Sequence, residues 1–244
     1  MKLNLIQLIL FVFITLSNCE KLVPKLVQSN KINIYYNYWY DLIGQEIKCP
    51  NGGVIKNFVL RKSGNQYYFD LQCYSSEQEG VDYGEPIVKC ATYTSWLDTS
   101  ISSTSTDISI LSTFDMDCTP EYGMNGFMIY QERDNTNKIK TKKANYCKPT
   151  KSFYVSKKTL KTESKTATTN LDCFVDIVVG STEVETEDAI GYPLRAFQFK
   201  FEGTGKNRKC YYQYSTMKLK NMGKLKDERL KVFANLRSQN TQAN

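Results

Sequence analysis

Apolar and aromatic residues recur along this chain in short runs broken by polar turn residues, the signature of strands rather than helices. Residues 54–60 (VIKNFVL) and 67–71 (YYFDL) flank Ser63-Gly64-Asn65, a hairpin turn signal. Residues 194–201 (LRAFQFKF) alternate, with Phe197, Phe199 and Phe201 on one predicted face, and 211–214 continue beyond Gly203-Thr204-Gly205-Lys206. Residues 32–39 (INIYYNYW) read as a further strand, because Ile and Tyr suit a half-buried pleated surface. A single helix is predicted near the end, over about 224–237, where Leu225, Val232, Phe233 and Leu236 share a rough face. The Ser/Thr-rich 92–113 and Lys/Thr-rich 159–170 read as loops or exposed edges, and the alternating carboxylates Glu183, Glu185 and Glu187 as a solvated edge strand.

The strand pattern repeats. Cys49 opens CPNGGVIKNFVL and Cys118 opens CTPEYGMNGFMI; in each, Phe58 or Phe127 follows nine residues after the cysteine, with Gly53 or Gly123 between. Each closes on an aromatic-flavoured run ending in Cys73 or Cys147, and Trp39 and Trp96 lie upstream. A looser third unit starts at Cys173, carries GYPLRAF at 191–197 and ends at Cys210. Each unit reads as a hairpin with a cysteine at either end, which predicts the pairs Cys49–Cys73, Cys118–Cys147 and Cys173–Cys210. Cys90 is left over, as a free or intermolecular thiol unless Cys19 is retained to join it. The alternative is a coincidental likeness among Cys-bounded strands. One unit is too small to bury a core, so two or three should pack together.

The leader sets the expected compartment. Met1-Lys2 precedes the apolar run 3–16 and then Ser17-Asn18-Cys19, the form of a secretory signal peptide over residues 1–19. A signal anchor and a lipobox ending at Cys19 are the competing readings. An apolar run of this length falls short of the roughly 20 residues of a membrane span, and the mature chain shows no other candidate. Spaced cysteines without a CxxC suit a disulfide framework in an oxidising compartment. The domain plan is then a β-rich unit over 20–215 (units about 36–90, 96–150 and 171–215), followed by a basic helix or tail over 216–244.

The chain of 244 residues has a formal charge of +7 and no histidine. The missing imidazole excludes Ser–His–Asp and Cys–His catalysis and His-ligated zinc. Basic charge concentrates in 138–166 and 206–237, each with ten Lys or Arg. Such patches attract acidic partners, but secretion disfavours nucleic acid. Asp115, Asp117 and Glu121 lie near Cys118, and Glu77 and Glu79 follow Cys73, yet nothing local marks them as a glycosidase pair. No catalytic residue, metal site or cofactor is expected. Tyr and Trp are sugar platforms and interface anchors, so Trp39, Tyr67, Tyr68, Tyr211 and Tyr212 are the candidate ligand contacts among 17 tyrosines and two tryptophans.

Trp39, the Cys49–Ile55 segment CPNGGVI and the closing YFDLQC at 68–73 resemble the repeat of the dermatopontin family. The likeness spans about 36–75, and more weakly 96–147. The family's Asp-Arg-x-Trp before the closing strand is replaced by Asn65-Gln66-Tyr67-Tyr68. The resemblance implies an extracellular β-rich protein that binds matrix partners or cell surfaces, and no catalytic residues. The expectation is therefore an all-β domain of two or three disulfide-bounded hairpin repeats, packed as a barrel, prism or sandwich. Its expected role is structural or adhesive, as a non-catalytic subunit of an extracellular or cell-surface assembly. A glycan-binding module is the alternative.

Overall fold

The computed structural model describes residues 22–33, 42–75, 87–90, 108–118, 121–133, 139–150, 154–166, 171–204 and 207–220. The expected leader, Trp39, Trp96 and the expected helix over 224–237 lie outside these residues. Among the described residues the chain is all-β. Three hairpins dominate: β4 (Val54–Ser63) with β5 (Gln66–Tyr74), β8 (Tyr122–Arg133) with β9 (Ile139–Pro149), and β14 (Leu194–Glu202) with β15 (Lys209–Lys220). Each is the centre of its own antiparallel sheet, and the sheets do not close into a barrel. The last strand runs on to Lys220, past the boundary expected at 215.

Shorter strands complete the sheets. β1 (Lys25–Gln28) and β2 (Ile32–Asn33) join β5; β6 (Ile87–Cys90) joins β9; β10 (Tyr154–Lys161), β11 (Lys165–Thr166) and β13 (Ala189–Gly191) join β15. Three others follow one rule. β3 (Ile47–Lys48), ahead of the first hairpin, pairs with β8 of the second. β7 (Asp115–Asp117), ahead of the second, pairs with β14 of the third. β12 (Val178–Gly180), ahead of the third, pairs with β4 of the first. Each hairpin thus receives its edge strand from the unit before it, and the exchange closes in a ring.

The ring makes the three units equivalent residue by residue. Each first strand bulges at one residue, Lys56, Asn125 or Arg195, two before Phe58, Phe127 or Phe197. Each bulge carbonyl accepts a backbone hydrogen bond from the incoming lead-in: from Ser181 N (3.2 Å), Cys49 N (2.9 Å) and Cys118 N (3.1 Å) respectively. The bulge turns its own polar side chain inward, and all three are buried. The three phenylalanines then meet one another, with ring centroids 5.7, 4.9 and 4.7 Å apart, in tilted and edge-on arrangements that suit aromatic quadrupoles. A second layer sits beside them: a Cβ on Gly123 would lie 3.2 Å from both Pro193 and Val54, the residues at its place in the other two units.

The three expected cysteine pairs are all brought together, with Cα–Cα distances of 5.8, 5.8 and 6.2 Å. By loop entropy each contributes about 3–4 kcal/mol. The third does not occupy the repeat position, however. Cys73 and Cys147 stand opposite Ile55 and Met124, whereas the residue opposite the equivalent Leu194 is Thr216. Ser181, not Cys173, fills the opening position. Cys173 lies earlier, in the 3-10 turn Leu171–Phe174, and its bridge to Cys210 ties that turn to the start of β15.

Two expectations about polar segments change. Residues 183–188 form no strand, and Glu185 is not solvated: its carboxylate is 2.7 Å from Lys56 Nζ, with side-chain exposures of only 10% and 7%. Tyr74 OH also donates to Glu185 (2.5 Å) and accepts from Tyr192 N (2.9 Å). Within the segment expected to be a loop, Ile108–Thr113 is a 3-10 turn that buries Ile108 and Leu111.

Candidate functional site

Register decides which side chains share an outer surface. In the third sheet Phe197 and Phe199 point inward and are 1% exposed. Their neighbours Ala196 and Gln198 therefore face out, across from Ser215 and Gln213 of β15 and Asp117 and Asp115 of β7. Thr159 of β10 extends the row beyond Ser215. The Asp-Met-Asp of β7 obeys the same period of two: Met116 is buried opposite Phe197, and both carboxylates turn outward.

Small residues at the centre, Ala196 and Ser215, leave a hollow of about 210 Å³ in this face. Asp115, Asp117, Thr159, Gln198 and Gln213 are among the residues that line it. Arg195 lies beneath, 4% exposed, because the bulge folds it inward. Its Nη1 donates to Asp117 Oδ1 (2.5 Å) and Cys118 O (2.7 Å), so Asp117 is fixed as a charged partner. Gln198 Nε2 donates to Ser112 O (2.7 Å), and Asn145 Nδ2 of the neighbouring sheet donates to Asp117 O (2.9 Å). Burial holds the Lys143 ammonium below the ordinary lysine range, with Asp115 and Asp117 opposing that shift. Arg195 offsets one of the two aspartate charges that line the wall. At the floor, Ser215 Oγ and Arg195 Nε have no hydrogen-bond partner in the structure.

The candidate contacts chosen from the sequence do not form one platform. Tyr67 and Tyr212 are corrected: both are 0% exposed. Tyr67 donates to Asp172, and Tyr212 packs on Phe58 and Phe199. Each occupies an inward position of its strand, so neither meets a ligand. Tyr68 is half-buried on the outer face of the first sheet, opposite Arg61. Tyr211 is half-buried on the outer face of the third, one outward position beyond Gln213, with Lys161 Nζ 4.0 Å from its ring centre. Lys161 in turn pairs with Glu202 at 2.8 Å. Trp39 lies outside the described residues, and of Cys90 only the backbone is described, opposite Asn145.

The sequence analysis passed over Gln198, Gln213, Ser215 and Thr159. They are ordinary polar members of alternating strands, and only the register of β10, β15, β14 and β7 gathers them. Among the described residues no helix is long and apolar enough to cross a membrane, and no cluster of His, Cys, Asp and Glu is arranged to hold a metal ion. The three cysteine pairs suit an oxidising environment. Comparison with protein-family models, with curated proteins and with solved structures finds no match for this chain.

Proposed function

We propose that this chain is a secreted, non-catalytic binding protein, a structural or adhesive subunit of an extracellular or cell-surface assembly. One observation carries the reading: the three units keep a phenylalanine at the same inward position and differ at the outward position that follows it. Phe58, Phe127 and Phe197 repeat at the core, while the next outward positions are Val59, Met128 and Gln198. A rigid, disulfide-stapled frame with three unlike faces suits the display of contact surfaces. The leader and the resemblance of residues 36–75 to the dermatopontin repeat support the same reading.

The test is crosslinking of the secreted protein at the surface of its native cells, followed by purification without reductant. A stable partner recovered in stoichiometric amount is the expected result. A protein that stays monomeric and partnerless, or that is retained inside the cell, would sink the proposal. The polar hollow of the third sheet favours a second reading, that the contact made is to a glycan.

A further inference from the structure

We propose that the hollow between β7, β14, β15 and β10 is a binding site for one neutral saccharide residue, an inference that rests on the glycan-binding reading above. Sugar hydroxyls both donate and accept, so they are matched by groups that do both or that alternate in kind. The hollow offers such a set: the Asp115 carboxylate as acceptor, the Gln213 amide, the Gln198 side chain anchored by Ser112, and the Thr159 hydroxyl. Its volume of about 210 Å³ is at the scale of a single small polar molecule rather than of a peptide.

The floor provides the independent observation. Ser215 is 3% exposed and Arg195 4%, yet Ser215 Oγ and Arg195 Nε are unpartnered. A buried polar group without a partner is destabilising, and both of these residues border the hollow. Ser215 stands on the outward face of β15, so a polar occupant of the hollow, direct or through a bound water, supplies what its hydroxyl lacks.

Charge selects the class of ligand. Arg195 is committed to Asp117, Lys161 to Glu202, and Lys143 sits beside Asp115 and Asp117. Among the described residues that line the hollow, Arg195 is the one cation, and Asp117 already holds it; Asp115 is the second carboxylate. A neutral, hydroxyl-rich ligand fits what remains. Tyr211, one outward position beyond Gln213 on β15, is already covered by Lys161 and offers no open ring for stacking.

The experiment uses the full secreted chain. Amide chemical-shift titrations with glucose, galactose, mannose and N-acetylglucosamine are run beside an array of immobilised glycans. The expected result is saturable binding of at least one sugar, with shifts centred on β14 and β15. Asp115→Asn and Gln213→Ala should each weaken it about tenfold, the scale of one lost hydrogen bond to a charged or polar group. Tyr68→Ala, on the first sheet, should leave it unchanged. Unaltered spectra elsewhere in the protein show that the variants fold. Glycan binding that survives both variants, or that Tyr68→Ala abolishes, would overturn the site and keep the lectin reading. No binding to any sugar, free or immobilised, would overturn both. Binding of sulfated glycans alone would overturn the neutral-ligand assignment.

Discussion

Single residues in this protein carry the geometry of three units at once. Phe127 touches both of its counterparts, so Phe127→Ala should cost about 3–5 kcal/mol, read as a lower denaturant midpoint. Gly126 is equally constrained: a Cβ there would fall on the Ile47 carbonyl and on Lys48. Gly126→Ala should therefore detach β3 from the second sheet and destabilise the fold. The buried Lys56–Glu185 pair has a different character. Lys56→Met leaves the Glu185 charge buried with only Tyr74 to meet it, at a cost of about 3–5 kcal/mol. Lys56→Met combined with Glu185→Gln should recover much of that loss in thermal unfolding, because the stranded charge is gone. Tyrosines set the alkaline limit. Burial, with a hydrogen bond to Glu46, pushes the Tyr146 phenol up to about 12, and burial also raises Tyr67, Tyr192, Tyr212 and Tyr214. The unfolded chain ionises these groups near pH 10, so their contribution is complete below pH 10 and is lost as pH rises towards 12. Absorbance of tyrosinate against pH should show a class of tyrosines that ionises only above pH 10, together with unfolding.

At the scale of elements, the hairpins were legible in the sequence and the lead-in strands were not. Residues 54–60 and 67–71 announced β4 and β5 through apolar runs around a Ser-Gly-Asn turn, and Phe197, Phe199 and Phe201 announced β14 by alternation. β3, β7 and β12 are two or three residues long, too short for any period to register, and they are strands only because another unit supplies the partner. The same limit explains the third unit. Spacing pointed to Cys173 as its opening residue, and Cys173 does bond Cys210, but the hydrogen bond to the bulge comes from Ser181. Ser181 and Thr216 therefore mark a vacant bridge position. Ser181→Cys with Thr216→Cys should form a fourth disulfide, seen as a pair of thiols lost to alkylation, and raise stability by roughly 2–4 kcal/mol. Failure of those two cysteines to bond in an otherwise folded protein would break the equivalence of the units. The hollow was illegible for a related reason: its groups come from β7, β10 and the β14–β15 hairpin, which lie far apart along the chain, and each is unremarkable where it stands.

For the whole molecule, cyclic exchange means that no unit is complete alone. A fragment holding residues 96–150 lacks β3 and presents β7 to nothing, so it should show the narrow amide dispersion of an unfolded chain. The full chain from residue 20 onwards should fold, and its non-reduced mass should show three bridges together with the state of Cys90. The ring also has a beginning and an end in time. β12 reaches β4 through the pairing of Val178 with Val59, so the first hairpin is finished only when about 120 further residues have been made. At roughly 5–20 residues per second of synthesis, the Asn57–Val59 edge stays open for about 6–24 s. During that interval a bare strand edge invites pairing with any other extended chain. Nascent molecules on neighbouring ribosomes thus meet with one sticky side each, and the yield of the protein should depend on how densely its message is translated and on chaperones that shield that side.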